Sequence, residues 1–408
     1  MRALIAAVSV LALAAACDPG KPAPIAPGAE AYTQLQTRLQ DAKAGDVIEL
    51  AEGTFNFTEG LSLDVDNVTF RGAGIDKTII SFKEQKGAGE GLLVTSDGVT
   101  LTGFTMQDTK GDGIKSKGAD NITYKDLKVI WTGGPLPTNG AYGVYPVESE
   151  NVLVDGVTVS GASDAGIYVG QSKNIIVRNS RAEYNVAGIE IENSMNADVH
   201  DNVATKNAGG ILVFDLPNLK IMGGHSTRIF NNQIVENDTQ NFAPPGNIVA
   251  GVPTGTGVLL MANRNVHVFG NTFDKNKTAH VMVVAYSESF DDANYNPLPR
   301  DFVIRDNTYG AGGNDPQGRL SPLAPALGGS LPAIVWDGVT GYGGKTEDVR
   351  IVVREKPEVG FISLGLGTTP PDLTKANPSM TRQPDAQIEE PAAVVLEHDK
   401  PAASAAAG

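Results

Sequence analysis

The chain has 408 residues, of which 47 are acidic and 32 basic, and its formal net charge is −15 at pH 7. This acidic balance argues against nucleic acid as a partner, because binding phosphates needs a basic surface. For the same reason a polyanionic glycan would require a local basic patch. A single cysteine excludes an intrachain disulfide, so the fold must be stabilised by packing.

The N-terminal segment, residues 1–17, is typical of an export signal. One arginine precedes an apolar run from Ala3 to Ala16, which is too short to span a membrane. Cys17 follows three alanines, and this placement resembles the lipobox of bacterial lipoproteins. The resemblance implies cleavage before Cys17, lipidation of its thiol and a membrane-anchored periplasmic or cell-surface protein. The alternative is a cysteine that lies in a signal peptide by chance.

The next two segments predict a linker and a cap. Residues 18–29 are rich in Pro, Gly and Ala, which favours a flexible linker. Within residues 30–45, Leu35, Leu39 and Ala42 have helical spacing, and a strand follows directly. A short amphipathic helix here would cap the open end of a stack of strands.

Residues 46–310 contain a repeated strand that begins at an Asn-aliphatic pair. Apolar and polar residues alternate in each copy, which predicts half-buried strands. The predicted inward positions are Phe70, Leu101, Tyr124, Val154, Val177, Val199, Phe230, Val268 and Ile304. Two residues later comes a corner residue that tolerates tight-turn backbone, namely Gly103, Asp126, Gly156, Asn179, Asp201, Asn232, Gly270 and Asp306.

A second strand series begins at glycine. Gly166, Gly188 and Gly210 are 22 residues apart, and His280 takes the glycine position in the last copy. A unit of 22 or 23 residues with short strands and a corner between them indicates an all-β fold, a single-stranded right-handed parallel β-helix of about nine coils. Stacked coils would align side chains in ladders, which predicts columns of corner residues. These columns are Asn185, Asn207 and Asn276, and Ser149, Ser172 and Ser194.

The C-terminal part lacks the repeat. Residues 311–367 are predicted to form a loop or cap segment. Residues 368–408 are rich in Pro and Ala with little periodicity, which predicts a disordered tail.

Whole phrases of the repeat, such as GASDAGIYVGQSKNIIVRN and AEYNVAGIEIENSMNADVHDN, carry a family resemblance. The chain resembles the exported parallel β-helix repeat proteins of proteobacteria, many of them lipoproteins, over about residues 45–310. More distantly it is similar to the pectate-lyase-like superfamily, which includes lyases and mannuronan epimerases. The Asp-Pro-His-Asp motif of the epimerases and the Arg-rich signature of the alginate lyases are absent. The resemblance therefore implies a fold and leaves the reaction open.

Three insertions predict where a site would lie, because long loops on a regular solenoid usually carry function. Residues 131–142 and 237–256 precede glycine-started strands, and residues 215–226 follow one. Together they would wall a groove above these strands. The predicted floor is Lys115, Tyr145, Tyr168, Glu190, Leu212, Leu259 and Met282, with Lys117, Val147, Gly170, Glu192, Phe214, Met261 and Val284 beside it.

The polar half of this floor carries the candidate chemistry. Tyr145 and Tyr168 offer flat surfaces to sugar rings, and Glu190 and Glu192 are candidate catalytic carboxyls. With Asp215 nearby, these carboxylates would suit Ca²⁺. Further candidates are Lys115 as a base with a lowered pKa, and Trp131 and His225 as ligand-binding residues of the loops. The alternative is that Glu190 and Glu192 are simply a solvated strand face.

The apolar half of the floor allows two interpretations. Its outward residues are Leu212, Phe214, Leu259, Met261 and Met282. Left open, they would form a large exposed apolar patch. Either loop 237–256 or the C-terminal segment covers them, or they form a docking face for another protein.

The leading functional hypothesis is therefore recognition of a polysaccharide or cell-envelope glycan in the groove. The alternatives are a polysaccharide lyase or uronate epimerase, and a non-catalytic scaffold or maturation partner. Ligand identity, metal dependence, membrane leaflet and oligomeric state stay open.

Overall fold

The computed structural model describes residues 22–87 and 89–400. The predicted signal peptide and Cys17 lie outside the described residues. Within these residues, no helix combines the length and the apolar character that crossing a membrane requires.

The strands form three long sheets, and every third strand along the chain belongs to the same sheet. The first sheet consists of Val47–Glu49, Thr69–Arg71, Thr100–Thr102, Thr123–Lys125, Glu150–Asp155, Lys173–Arg178, Met195–His200, His225–Phe230, Arg264–Phe269, Arg300–Arg305 and Ile351–Arg354. The second consists of Gly53–Asn56, Thr78–Ser81, Thr105–Gln107, Lys128–Ile130, Thr158–Ser160, Arg181–Glu183, Val203–Thr205, Gln233–Val235, Thr272–Asp274 and Thr308–Tyr309. The third consists of Leu61–Leu63, Leu92–Val94, Ile114–Lys117, Tyr142–Val147, Ala165–Gly170, Ala187–Glu192, Gly209–Phe214, Thr256–Met261, Ala279–Val284, Ile334–Trp336 and Phe361–Ser363.

Each coil except the last contributes one strand to each sheet, and neighbouring coils pair in parallel and in register. The predicted parallel β-helix is therefore confirmed. The β-helix is longer than predicted. Its first and third sheets have eleven strands each, and their last strands end at Arg354 and Ser363, beyond the predicted limit of residue 310. Insertions after Tyr309 and Trp336 hide the last coil from a search for a regular period. The first insertion contains the turn Gly318–Leu320 and the helix Leu323–Ala326, and the second contains the strands Val339–Tyr342 and Lys345–Thr346. These two strands form a small sheet with Gly367–Thr369, which lies beyond the last coil and is followed by the turn Leu373–Lys375.

Aliphatic side chains from all three sheets fill the bore. Val177, Ile189 and Ile211 are fully buried, as the alternation predicted. The predicted register is wrong in one coil: Ile229 is the inward residue and Phe230 points outward, since His200 and Phe230 are Cα partners. The corner of that coil is accordingly Asn231 in left-handed backbone, one residue before the predicted Asn232.

Asparagine side chains stack inside one corner. The Nδ2 of Asn185 donates to Asn207 Oδ1 at 3.0 Å, that of Asn207 to Asn237 at 3.1 Å, and that of Asn237 to Asn276 at 3.0 Å. All four residues are fully buried, so the ladder satisfies polar groups that burial would otherwise leave unpaired. The ladder includes Asn237, which the sequence did not place in the column.

The N-terminal end of the stack is capped by the helix Ala31–Gln40, in which Leu35 and Leu39 are fully buried. The preceding segment differs from the predicted flexible linker over its described part. Ile25 is buried, its N–H donates to Glu49 O at 2.8 Å, and its carbonyl accepts from Ala51 N at 2.8 Å.

The C-terminal segment also differs from the prediction, because residues 382–399 cross the outer face of the first sheet. We call this segment the C-terminal strap. Ile388 packs with Val303 and Val352, and Leu396 packs with Leu153 and Ile176. These two apolar side chains and a row of acidic ones anchor a sequence whose composition is typical of disorder.

A carboxyl and tyrosine cluster as the candidate functional site

Six residues on the outer face of the third sheet form what we call the carboxyl–tyrosine site: Tyr142, Tyr145, Asp164, Tyr168, Glu190 and Glu192. Strand alternation directs Tyr168 and Glu190 outward, because Ile167 and Ile189, which directly precede them, point into the bore. Parallel pairing then stacks equivalent positions, so Tyr168 lies beside Glu190 on the next coil. The structure thus brings together four predicted site residues: Tyr145, Tyr168, Glu190 and Glu192.

Three tyrosine rings pack against one another in this site. The ring centroid of Tyr142 lies 4.5 Å from that of Tyr145 and 4.6 Å from that of Tyr168, and those of Tyr145 and Tyr168 are 4.8 Å apart. Tyr168 is buried, whereas Tyr142 and Tyr145 are partly exposed. The Lys115 ammonium lies 4.7 Å from the centroid of the Tyr145 ring. The partly exposed edge of the site is therefore aromatic.

The carboxyl groups beneath these rings are buried without a cation. Glu190 is only 1 % exposed, and its Oε1 has no hydrogen-bond partner within the described structure. Asp164 has one unpartnered oxygen as well, Oδ1, while its Oδ2 accepts from Asn247 Nδ2 at 3.1 Å. A buried carboxylate without compensation costs several kcal/mol, so such groups favour the protonated form.

The pKa values of these carboxyls are raised accordingly. Burial, together with the neighbouring Asp164, raises the pKa of Glu190 well above its usual value. Burial raises the pKa of Asp164 to about 7, although the Asn247 amide opposes this shift. Burial also raises the pKa of Glu192 to about 7, against the lowering effect of the Tyr168 hydroxyl. The site can therefore hold and release protons near neutral pH.

Lys115 lies at the edge of the site between two carboxylates. Its Nζ is 3.4 Å from Glu90 Oε1 and 3.6 Å from Asp112 Oδ2. This setting suits a charge-balancing residue better than the predicted base.

The apolar half of the predicted floor is covered within the chain. Val249 and Val252 of loop 237–256, which contains the turn Ile248–Gly251, join the cluster formed by Leu212, Phe214 and Leu259. The segment around Leu320 and Leu331 covers Met282 in the same way. Leu212, Phe214, Leu259 and Met282 are buried and Met261 is half-buried, so the hypothesis of a protein-docking face is wrong for this column. The part of this column that is partly exposed is its Lys115–Tyr145 end.

Three other predicted site residues have structural partners or lie elsewhere. Trp131 packs in the core, and its Nε1 donates to Thr109 O at 2.7 Å. His225 begins a strand of the first sheet, with its Nδ1 at 2.8 Å from Ser226 Oγ. Asp215 is buried and accepts from Gly224 N at 2.6 Å and from Asn263 Nδ2 at 2.7 Å, which pins the loop that follows it.

In the part of the chain that the structure describes, no group of three or more His, Cys, Asp or Glu side chains is arranged to hold a metal ion. Asp215 directs both its oxygens at protein donors instead of toward Glu190 and Glu192.

Asp164 and Tyr142 are members of the site that sequence reasoning missed. Tyr142 stands one residue before the glycine position, in register with Ala165 and Ala187. Tyr142 has the same parity as the inward Val144, so strict alternation would turn it inward and could not have predicted its place in the site. Asp164 lies on the corner preceding its strand, and its role depends on Asn247, a loop residue 83 positions away.

Comparison with known proteins agrees with this architecture. Residues 58–223 match a family model described as the right handed beta helix region. The A-module of mannuronan C-5 epimerase AlgE4 from Azotobacter vinelandii is 13% identical, with a TM-score of 0.55 over 83% of this chain and 94% of that one. An alginate lyase from Paenibacillus sp. str. FPU-7 is 20% identical, with a TM-score of 0.48 over 72% of this chain and 98% of that one. No curated protein is similar in sequence at a significant level. The fold of this chain is therefore a right-handed parallel β-helix.

Proposed function

We propose that the protein binds a polysaccharide or cell-envelope glycan at the carboxyl–tyrosine site. The observation that carries this proposal is the packing of three tyrosine rings, with centroids 4.5 to 4.8 Å apart, at the open end of the groove. Aromatic rings offer a flat apolar face to a sugar ring, and their hydroxyls and the nearby carboxyls accept and donate hydrogen bonds.

The charge of the site favours a neutral glycan over a polyuronate. Asp164, Glu190 and Glu192 face the site together, and Lys115 is already engaged by two carboxylates. A uronate carboxylate would meet this acidic surface without a free cation to neutralise it. Mannuronan, which the similar epimerase acts on by its name, belongs in the tested panel for contrast.

Binding of soluble neutral and uronate polysaccharides, measured by affinity electrophoresis, tests the proposal. We expect retention by a neutral polysaccharide, at least tenfold weaker retention for Tyr145→Ala and Tyr168→Ala, and none by mannuronan through this site. Tyr184→Ala is the matched control, because Tyr184 is an exposed tyrosine whose ring packs near Lys206 outside the site. Equal retention of all three variants would refute the proposal.

Acid–base catalysis on the bound glycan is the second candidate. The unpartnered oxygens of Glu190 and Asp164 favour it, since perturbed carboxyls in a groove are typical of catalytic acids. Glu190 or Glu192 would donate a proton to a glycosidic oxygen. Release of reducing ends, formation of unsaturated products and proton exchange at C5 distinguish hydrolysis, elimination and epimerisation. Activity that survives Glu190→Gln and Glu192→Gln would exclude both residues as the acid.

The predicted lipid anchor remains part of the proposal for where the protein acts. A radiolabelled fatty acid fed to cells that express the full chain should label the parent protein but not Cys17→Ser. Labelling of both proteins would contradict anchoring through this thiol.

A further inference from the structure

A second pocket lies apart from the carboxyl–tyrosine site. It is formed by the loops that connect strands of the third sheet to strands of the first sheet, together with the start of the strand Arg300–Arg305. It has a volume of about 280 Å³. Its lining includes Asp215, Asn294, Tyr295, Asn296, Arg300 and Tyr342. A cavity of this volume has room for a ligand no larger than a monosaccharide, and its polar groups would fix the orientation of such a ligand.

Arg300 is the unusual member of this lining. Its neighbours Arg305 and Arg350 have carboxylate partners, Asp306 and Asp301 respectively. Arg300 itself forms no ion pair within residues 22–87 and 89–400, and its buried Nε has no hydrogen-bond partner there. A buried guanidinium donor left unpaired costs free energy, which a planar oxyanion would recover through two parallel hydrogen bonds.

The two acidic groups near the pocket are committed elsewhere. Asp215 accepts from Gly224 N at 2.6 Å and from Asn263 Nδ2 at 2.7 Å. Both oxygens of Glu347 accept from Asn296 Nδ2, at 2.9 and 3.0 Å. Asp215 lines the same pocket and attracts Arg300 through space, but it forms no direct ion pair with Arg300 in the described part of the chain, and both its oxygens already accept hydrogen bonds.

We propose that this pocket binds a small carboxylate of up to monosaccharide size through Arg300. The carboxylate would form a bidentate pair with the guanidinium, and Asn294 and Tyr342 would line the rest of the ligand. The inference goes beyond the proposed glycan site, since the two sites share no residue. The source of the carboxylate is either a free acid or the terminal residue of an acidic glycan.

Titration calorimetry of the full chain with D-glucuronate, and with D-glucose as its neutral counterpart, tests the inference. We expect saturable binding of glucuronate, at least tenfold weaker binding of glucose, and at least a tenfold loss of glucuronate affinity in Arg300→Gln. Arg264→Gln is the matched control, because Arg264 occupies the same register position one coil earlier and does not line the pocket. A glucuronate trisaccharide binding much more tightly than the monomer would identify a glycan terminus as the source, and equal affinity would identify a free acid.

Two further measurements keep the test decisive. In the parent protein, the Nε–H resonance of Arg300 should shift when glucuronate is added. This measurement does not depend on whether the Arg300→Gln variant folds. Tyr168→Ala should bind glucuronate like the parent, which separates this pocket from the glycan site. Equal affinity for glucose and glucuronate, or unchanged glucuronate binding by Arg300→Gln, would overturn the inference.

Discussion

The charged side chains on the outer face of the first sheet are paired, whereas those on the outer face of the third sheet include buried carboxyls without a cationic partner. On the first sheet, Arg178 forms bonds of 2.7 to 3.1 Å with both Asp155 and Asp399. On the third sheet, Glu190 and Asp164 share a buried surface with no cation and leave oxygens unpartnered. The same stacking of coils produces both columns.

This difference distinguishes residues that stabilise the fold from residues that form the candidate functional site. Paired charges such as Arg178 and Asp155 hold neighbouring coils and the strap together, and their replacement should affect stability alone. Unpaired buried acids destabilise the fold, so their presence indicates a use other than stability. Stability measurements on the two faces should therefore change in opposite directions.

The largest expected effect is the loss of one partner from a buried pair on the first sheet. Arg228 donates from Nε to Asp198 Oδ1 at 2.8 Å, and both side chains are largely buried. Asp198→Ala leaves the guanidinium without its main partner, so we expect a loss of about 3–5 kcal/mol in the free energy of unfolding. Urea denaturation measures this loss. Glu190→Gln is the comparison on the third sheet and should be neutral or stabilising.

Removal of the C-terminal strap should cost somewhat less. Ending the chain after Thr381 exposes Leu153, Ile176, Val303 and Val352 and removes the apolar contacts of Ile388 and Leu396. We expect a loss of about 3 kcal/mol from these two side chains. A chain ending at Lys400 serves as the control and should unfold like the parent. Equal stability of both truncations would show that the strap does not stabilise the sheet.

The third prediction concerns pH. The folded-state pKa values of Asp164 and Glu192, each about 7, lie above the ordinary values of 3.8 and 4.5. Between these limits the folded state binds more protons than the unfolded state, so stability falls as pH rises from about 4.5 to 7. We expect stability to decrease across this range because of these two groups, as measured by urea denaturation at several pH values. Asp164→Asn combined with Glu192→Gln should make the profile less steep, although Asp112, Asp215 and Asp337, with pKa values raised by burial to about 6, still contribute. An unchanged profile would show that Asp164 and Glu192 do not cause the pH dependence.

The smallest expected loss in the free energy of unfolding comes from a substitution at Gly170, a glycine beneath the Tyr168 ring. A Cβ at Gly170 would lie 2.2 Å from the Tyr168 hydroxyl oxygen, so Gly170→Ala must displace this ring. We expect a cost of about 1–2 kcal/mol and weaker glycan binding. In Gly133→Ala the new Cβ meets only Leu136 Cδ1, at 3.6 Å, so this variant is the control and should change neither property. If Gly170→Ala bound the glycan normally, the position of the Tyr168 ring would not matter for binding.

The fold was predictable because its determinants recur along the chain. Gly166, Gly188 and Gly210 lie 22 residues apart, and the same alternation of inward and outward side chains follows each of them. The one error of register came in the coil of Phe230, where Ser226 and Thr227 stand in place of the Asn-aliphatic pair that marks the start of this strand.

The site was predictable only as far as it belongs to the repeat. Tyr168 and Glu190 follow from the alternation, whereas the partner of Asp164, Asn247, comes from an irregular loop. The strap was missed because Asp399 pairs with Arg178 across 221 residues. The composition of the strap indicates disorder because it is rich in proline. Composition does not reveal that the acidic residues of the strap pair with arginines of the first sheet, such as Arg178, Arg228 and Arg305.

The contrast between the two faces is tested most directly by titrating the buried carboxyls with ¹³C NMR on protein with labelled Asp and Glu. We predict carboxyl resonances that titrate as a coupled group with apparent pKa values near 7 or above, and that are lost or shifted in Glu190→Gln. Titration of every Asp and Glu carboxyl below pH 5 would show that these acids are charged and compensated, and would contradict the distinction between the two faces.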